Sequence, residues 1–191
     1  MSRPLGFNNT YIIGMKEAVA EKMRVRTISD LRNHPDLKIG FSNEFMDRGD
    51  GWPSLRDRYN LPHKDVRGMD HDLAYRGLEG GTIQAVDLYS TDAEIQYYNL
   101  RGLEDDLGHF PAYHAVILYR DDLQQKAPDV TTALLKLEER IPEKEMVKMN
   151  ARAKLDRVAE SRVASEFLEA SLSLKTEVQE ETSGSRFLKH T

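Results

Sequence analysis

The chain contains no cysteine among its 191 residues. A disulfide scaffold and a cysteine-based zinc site are therefore excluded. The lack of cysteine is compatible with either an oxidising or a reducing compartment. Long apolar runs are also missing. No stretch approaches the roughly 18 consecutive apolar residues of a membrane helix, and the first residues lack the apolar run of a secretion signal.

Excess positive charge is the next thing that the sequence lacks. There are 27 basic and 32 acidic residues, which give a formal net charge of −5. Binding to phosphates needs clustered Lys and Arg, and no basic stripe stands out, so nucleic acid is not expected as the main partner. The remaining composition, 39% hydrophobic and 31% charged, is typical of a soluble globular protein. The length suits one large domain or two small lobes.

Catalytic motifs are absent as well. The sequence has no Gly-x-Ser-x-Gly elbow, no Gly-x-x-x-x-Gly-Lys loop and no Gly-x-Gly-x-x-Gly turn. A Ser–His–acid set stays open, because its members need not be close in sequence. Nothing in the sequence points positively to catalysis, so we expect a protein that is not an enzyme and that uses no cofactor.

One cluster, Asp70-His71-Asp72, has the residue types of a metal site. The surrounding stretch predicts a helix, and consecutive helical residues point about 100° apart, so these side chains cannot converge on one ion. We interpret the cluster as an exposed helix start with acidic residues near the positive end of the helix dipole. No metal site is expected.

Hydrophobic periodicity predicts an α/β protein with a helical C-terminal third. Thr27 and Asp30 have the spacing of a capping box. The predicted helices are 15–26, 52–59, 69–79 and several up to 174, and the predicted strands are 36–41, 82–88, 100–103 and 114–119. The last 17 residues are polar and predict a linker or a disordered end.

Three tyrosines stand in polar or turn contexts: Tyr11, Tyr89 and Tyr113. Tyr89 ends a predicted strand, and strand ends are where α/β sheets place ligands. Converging tyrosine rings would form an aromatic cage that attracts a quaternary ammonium group. The alternative is that these are half-buried packing residues with solvated hydroxyls. On composition alone the alternative is the stronger interpretation.

Arg48, in EFMDRGDGW, adds a complementary group. A guanidinium beside a glycine turn can hold a carboxylate in a two-pronged fork. The alternative is a surface arginine that pairs with Asp47 or Asp50, and taken alone Arg48 favours that alternative.

Six stretches in this order resemble a known family. They are LGFNNTY, GFSNEFMDRGDGWPSL, MDHDLAY, DLYSTDAEI, LEDDLGHFPAYHAV and EMVKMNARAK. Together they look like the substrate-binding proteins of osmoprotectant ABC importers, which take up glycine betaine, choline, proline betaine or carnitine. The resemblance runs from about Leu5 to Leu172, and the shared order makes it specific.

The resemblance implies a fold and a set of ligand contacts. The fold is α/β, of the type II periplasmic-binding-protein class, with two lobes of mixed sheets that close over the ligand by a hinge motion. Tyr11, Tyr89 and Tyr113 correspond to aromatic walls around the trimethylammonium group, and Arg48 corresponds to a carboxylate-binding residue. Asn9 and Thr10 correspond to neighbours of the pocket.

The resemblance also implies a division of the chain. Residues 1–11 are expected to be a crossover segment between lobes, residues 12–108 lobe two, residues 109–174 a return to lobe one with the C-terminal helices, and residues 175–191 a polar linker or tail. In the family a segment precedes GFNNTY and supplies much of lobe one, so lobe one is expected to be incomplete here. The stretch SGSRFLKHT resembles the linker that joins such a domain to a fused permease.

The expected function is binding of a quaternary-ammonium compatible solute for uptake by an ABC transporter under osmotic stress. The resemblance places it at the extracytoplasmic face of the membrane or in the periplasm, with a separate or fused permease as partner. Arg48 favours a ligand that carries a carboxylate, but the sequence does not choose among the osmolytes. One alternative is a truncated remnant or interaction domain that binds ligand weakly or not at all and associates with itself through unpaired edges. Another is an enzyme or sensor on the same fold.

Overall fold

The structure is a computed structural model, and it describes residues 1–175. The strands are β1 (Tyr11–Lys16), β2 (Ile39–Ser42), β3 (Val66–Met69), β4 (Val86–Tyr89) and β5 (Leu100–Gly102). The helices are α1 (Glu17–Met23), a 3₁₀ helix (Ser29–Asn33), α2 (Asn43–Asp47), α3 (Trp52–Tyr59), α4 (His71–Glu79), α5 (Glu94–Tyr97), α6 (Leu123–Lys126), α7 (Pro128–Leu135), α8 (Glu143–Lys154) and α9 (Glu160–Leu172). The predicted tail, apart from Lys175, lies outside the described residues. Among the helices of residues 1–175, none has the length and apolar character needed to span a membrane.

β1 is the central strand of a three-stranded antiparallel sheet with the order β4-β1-β5. Its register sets Tyr11 directly opposite Tyr89 and Gly14 opposite Val86. Side chains that lie opposite each other on neighbouring strands are close enough to interact. The register therefore brings two residues together that are 78 positions apart in the sequence.

β2 and β3 form a separate two-stranded parallel sheet. A bridge between Ile39 and Ala85 connects this sheet to the segment that leads into β4. The crossover between β2 and β3 contains α2 and α3. Pro53 lies in the first turn of α3, where its missing N–H has no intrahelical partner to lose. Asn60 ends α3 in the left-handed conformation.

The hydrophobic core lies around these strands. The larger cluster joins β1 and β2 to α2 and α3, and its bulky members include Ile13, Met15, Phe41, Phe45, Trp52, Leu55 and Tyr59. The smaller cluster joins α4 to β4, and its members include Tyr75, Leu78, Val86 and Leu88. The ends of β1 and β4 are thus held by packing on both sides.

The segment after β5 is built differently. Residues 113–117 run antiparallel to residues 2–9 and exchange backbone hydrogen bonds with them, for example from the Asn9 N–H to the Tyr113 carbonyl at 3.0 Å. Helices α6 to α9 follow. Between residues 104 and 175 the buried side chains are Thr131, Val147 and Val163.

The sequence did not predict the strands β1 and β3 or the helix α2, and the strand predicted at 82–88 begins only at Val86. Two further element predictions differ from the structure. The helix predicted from residue 15 begins at Glu17, because Met15 and Lys16 continue β1 and Met15 is fully buried in the sheet. The strand predicted at 114–119 is wrong as a regular strand. This segment is extended but forms one isolated bridge, between Asn8 and His114, and the side chain of Leu118 is 81% exposed.

The predicted capping box is confirmed. The backbone N–H of Asp30 donates to the Thr27 hydroxyl at 3.2 Å, and the N–H of Thr27 donates to Asp30 Oδ2 at 2.9 Å. The pair satisfies two donors at the start of the 3₁₀ helix. The hydrogen bonds that the backbone N–H groups of Thr27 and Arg26 donate to its carboxylate are the main reason why the pKa of Asp30 is lowered.

Candidate functional site

An open pocket of about 380 Å³ lies where the ends of β1 and β4 meet α2 and the segment after β5. It is lined by Phe7, Asn9, Tyr11, Glu44, Arg48, Tyr89, Tyr113 and Ala115. Five of the six residues predicted for the site therefore line one pocket, although they are drawn from positions 9 to 113. The sixth, Thr10, does not line it.

Tyr11 and Tyr89 form a contacting pair at the floor of the pocket. Their ring centroids are 4.7 Å apart with an interplanar angle of 37°, and their hydroxyl oxygens are 2.9 Å apart. Tyr11 is also a core residue, since it is only 3% exposed and its ring packs on Phe45 at 5.1 Å. Burial, together with the hydrogen bond to Tyr89, raises the pKa of Tyr11 well above its usual range. Both hydroxyls therefore stay protonated at physiological pH.

Arg48 already has charged partners. Its Nε and Nη2 donate to the two oxygens of Asp50 at 2.8 and 3.1 Å, and its Nη1 donates to Glu44 at 3.1 Å. The hydrogen bond from Arg48 is the main cause that lowers the pKa of Asp50 to about 2. The pairing with Asp50 that the sequence left as an alternative is thus present. A contact between Arg48 and a ligand carboxylate stays a prediction.

The guanidinium of Arg48 lies over the ring of Tyr11. Its central carbon is 5.2 Å from the ring centroid, which is the geometry of a cation–π contact. A delocalised cation thus occupies one aromatic face at the edge of the pocket. This face of Tyr11 is thus covered by a cation of the chain itself.

Tyr113 closes the pocket from the segment after β5. Its hydroxyl donates to Asp50 and lies 3.3 Å from Arg48 Nη2, and its backbone N–H donates to Asn8 Oδ1 at 2.6 Å. The side chain is 38% exposed, far more than that of Tyr11. Polar contacts rather than burial hold this third ring.

Asn9 and Thr10 tie the start of the chain to two other segments. Asn9 lines the pocket, and its Oδ1 accepts from the Thr91 hydroxyl at 2.6 Å. The Thr10 hydroxyl donates to the carbonyl of Pro111 at 3.1 Å. In this structure Thr10 therefore anchors the loop before Tyr113, while Asn9 contributes to the pocket surface.

Glu44 lines the pocket and was missed by the sequence reasoning. Its carboxylate accepts from the Tyr11 hydroxyl at 3.2 Å and from Arg48 at 3.1 Å, while its side chain remains 58% exposed. The available signal was its position four residues before Arg48, which puts both on one face of α2 if that segment is helical. Glu44 brings a negative charge to the pocket wall.

The cluster Asp70-His71-Asp72 opens α4. Asp70 caps the helix by accepting from the backbone N–H of Asp72 at 3.0 Å. His71 instead contacts the hydroxyl of Tyr75 at 3.2 Å and lies 3.5 Å from Asp92 Oδ2. Within residues 1–175, no group of three or more His, Asp or Glu side chains is arranged to hold a metal ion.

Comparison with known proteins identifies the relatives of this chain. Residues 1–170 match the family described as the substrate binding domain of ABC-type glycine betaine transport systems. The chain is 36% identical over 166 residues to the carnitine transport binding protein OpuCC of Listeria monocytogenes, covering 86% of this chain and 54% of that protein. It is 34% identical over 166 residues to the ergothioneine transport permease/ergothioneine binding protein EgtU of Helicobacter pylori, covering 86% of this chain and 30% of that protein.

A solved structure supports the same relationship. A crystal structure described as a glycine betaine/carnitine/choline ABC transporter superposes with a TM-score of 0.79 at 33% identity, covering 88% of this chain and 62% of that one. The expected type II periplasmic-binding-protein fold is confirmed. The chain spans 30% of the length of EgtU and 54% of the length of OpuCC.

Proposed function

Because this chain belongs to the family of substrate-binding domains of ABC-type glycine betaine transport systems, we propose that its pocket binds the trimethylammonium head of a compatible solute for import under osmotic stress. The ligand class is glycine betaine, choline, carnitine or a related solute. The observation that carries the proposal is the convergence of Tyr11, Tyr89, Tyr113 and Arg48 on one pocket.

Aromatic rings suit a quaternary ammonium because this cation cannot donate hydrogen bonds, so π-faces attract it without competition from polar acceptors. The contact between Arg48 and the Tyr11 ring places a cation on such a face within the chain itself. The carboxylate of Glu44 adds attraction for the same positive charge. These groups favour a permanently cationic head over a neutral group of the same shape.

A ligand carboxylate would bind at Arg48 in this proposal. Most of the guanidinium donors are directed to Asp50, Glu44 and Tyr113. The bond to Glu44 joins two partly exposed side chains, so it exchanges more readily than the two-pronged contact with Asp50. We expect a bound carboxylate to replace Glu44 rather than Asp50.

We further propose the partner, the location and the division of the chain. The partner is an ABC permease, either separate or fused to this domain, and the location is the extracytoplasmic face of the membrane. The names of the relatives, a transport binding protein and a permease/binding protein, support this assignment. Residues 12–108 would form one lobe and residues 109–174 would return to the other, while residues 1–11 cross between them beside 113–117.

The proposal is a binding function rather than catalysis. Among the pocket residues, the ionisable side chains pair with one another as Arg48–Glu44 and Tyr11–Glu44, and no hydroxyl there is bonded to a histidine base.

Self-association is a further proposal for this chain. It is supported by the apolar side chains of Val116 and Leu118, which are exposed on the extended segment beside residues 2–9. A concentration-independent monomer in sedimentation would rule it out.

Calorimetric titration with glycine betaine and with choline tests the proposed ligand class. Tyr89→Ala should weaken binding at least tenfold, since it removes a wall that contacts the cation. Tyr97→Ala is the matched control, because Tyr97 is 63% exposed and does not line the pocket. The proposal fails if neither solute binds the unaltered chain or if both variants lose affinity equally.

A further inference from the structure

His71 lies directly behind a wall of the pocket. Its imidazole is nearly parallel to the Tyr89 ring, with an angle of 15° and centroids 5.9 Å apart. The same imidazole meets Tyr75 edge-on at 5.1 Å and 70°. His71 does not line the pocket, so it can influence a bound ligand only through the Tyr89 ring or through its charge.

One carboxylate oxygen holds both His71 and Tyr89. Asp92 Oδ2 accepts from the Tyr75 hydroxyl at 2.7 Å and from the backbone N–H of Tyr89 at 2.9 Å, and it lies 3.5 Å from His71 Nε2. Nε2 is also 3.2 Å from the Tyr75 hydroxyl. The position of the Tyr89 backbone and the position of the imidazole are therefore set by the same acceptor. Tyr75, which completes the set, is only 2% exposed.

The charges that surround His71 come from several elements. Asp87 on β4 is fully buried and accepts from the Ser42 N–H and hydroxyl. Lys154 on α8 faces the cluster too, but it is paired with Glu94 at 2.5 Å and lies 3.8 Å from Asp72. Burial raises the pKa of Asp87, whereas hydrogen bonds from His71 and Tyr75 outweigh burial and lower the pKa of Asp92. Asp92 is therefore the main negative charge beside the imidazole.

Burial lowers the pKa of His71, but the hydrogen bond with Asp92 and the charges of Asp87 and Asp92 outweigh burial and raise the pKa above its ordinary value. The ordinary value for histidine is about 6.5. The imidazole thus gains its proton at a higher pH than an unperturbed histidine does, in a range where unperturbed carboxyl groups keep their charge.

We propose that His71 is a positioning residue for the pocket: its ring supports Tyr89, and its positive charge, acting through that ring, opposes the binding of a quaternary ammonium ligand. This inference rests on the proposed function. By linkage, the ligand must in turn favour the neutral imidazole. A cation within about 6 Å of the Tyr89 ring would lie roughly 10 Å from the imidazolium, close enough for a several-fold effect on affinity in a partly buried site.

Choline is the suitable probe, because its charge does not titrate. Calorimetric affinities at pH 8 and pH 6 would be compared for the full chain, for His71→Phe and for His114→Gln. Phe keeps an aromatic ring behind Tyr89 but carries no proton, and His114 is an exposed histidine. We expect choline to bind about three to ten times more weakly at pH 6 than at pH 8 in the unaltered chain and in His114→Gln. In His71→Phe the affinity should be the same at both pH values.

Proton NMR of the His71 ring gives a second test that uses only the unaltered chain, so it does not depend on whether His71→Phe folds. In the unaltered chain, saturating choline should shift the titration midpoint of His71 to lower pH. Binding that is equally pH-dependent in His71→Phe, or a midpoint that choline leaves unchanged, would overturn the inference while the proposed function stands. Absence of choline and betaine binding at pH 8 would instead overturn the proposed function, and the coupling with it.

Discussion

Residues 11–103 and residues 104–175 contribute to the same pocket by different physical means. Every buried hydrophobic side chain in the described part of the chain belongs to the first region, except Val147 and Val163. The first region supplies Tyr11, Arg48 and Tyr89 from packed strands and a helix. The second supplies Tyr113 from an extended segment held by hydrogen bonds. Two walls are therefore fixed by the core, and the third depends on polar contacts that cost less to break.

Asp105 makes one of the contacts between the two regions. Its Oδ1 accepts from the Tyr59 hydroxyl at 2.5 Å and from the His109 N–H at 2.8 Å, and its Oδ2 accepts from the Phe110 N–H at 2.8 Å. Tyr59 is fully buried in the first region. One carboxylate thus attaches the loop before Tyr113 to the core.

The largest expected effect compares a phenylalanine from each region. Phe41 is 1% exposed in the first region, whereas Phe167 in α9 is only half-buried. Phe41→Ala should lower the free energy of unfolding by about 3–5 kcal/mol because it leaves a cavity. Phe167→Ala should lower it by about 1 kcal/mol, since less apolar surface returns to water. Denaturant unfolding measures both values, and equal losses would remove the contrast between the regions.

Substitution of Asp105 should give an intermediate effect. Asp105→Ala removes three acceptor contacts and is expected to lower the free energy of unfolding by roughly 2–3 kcal/mol, since hydrogen bonds to charged groups are each worth about 1.5–3 kcal/mol and are not additive. Asp105→Asn is the matched control, because its amide oxygen can still accept from Tyr59. Amide hydrogen exchange should show faster exchange of residues 109–113 in the Ala variant. Unchanged exchange there would mean that Asp105 does not join the two regions.

The smallest effect concerns the pH response of the first region. His63 is 5% exposed, its Nε2 donates to the His34 carbonyl at 3.0 Å, and its Nδ1 has no partner among the described residues. Burial lowers the pKa of His63. The unfolded state therefore binds the proton more readily, and the stability that is present above pH ~6.5 is lost as the pH falls below that value.

A comparison of the unaltered chain with His63→Leu isolates the contribution of His63 to the pH dependence of stability. The free energy of unfolding at pH 8 minus that at pH 6 should be smaller in His63→Leu than in the unaltered chain. His71 acts in the opposite sense, because its raised pKa stabilises the folded state at low pH. An equal difference in both chains would show that His63 has no part in the pH response.

Much of the pocket could be expected from the sequence because its residues lie in recognisable local motifs. Tyr89 ends an apolar strand, and the family motifs identified Tyr11, Arg48 and Tyr113. Glu44 was not expected, since its part in the pocket depends on the packing of α2 against β1, which brings its carboxylate to the Tyr11 hydroxyl. The contact of His71 with Tyr89 is likewise set by side-chain packing, which no motif spells out, whereas the pairing of Arg48 with Asp50 was one of the alternatives that the sequence offered.

The sequence by itself determined the α/β class, the capping box at Thr27 and Asp30, and the family. These features depend on local periodicity and on short motifs, as the reciprocal bonds of Thr27 and Asp30 illustrate. Only the tertiary structure decided that residues 114–119 would not become a regular strand. An apolar segment forms a strand only if a neighbouring strand hydrogen-bonds to it, and that neighbour comes from a part of the chain that is distant in sequence. It also decided that Tyr11 would be both a core residue and a pocket wall, because the register of β1 against β4 sets Tyr11 against Tyr89 across 78 positions of sequence.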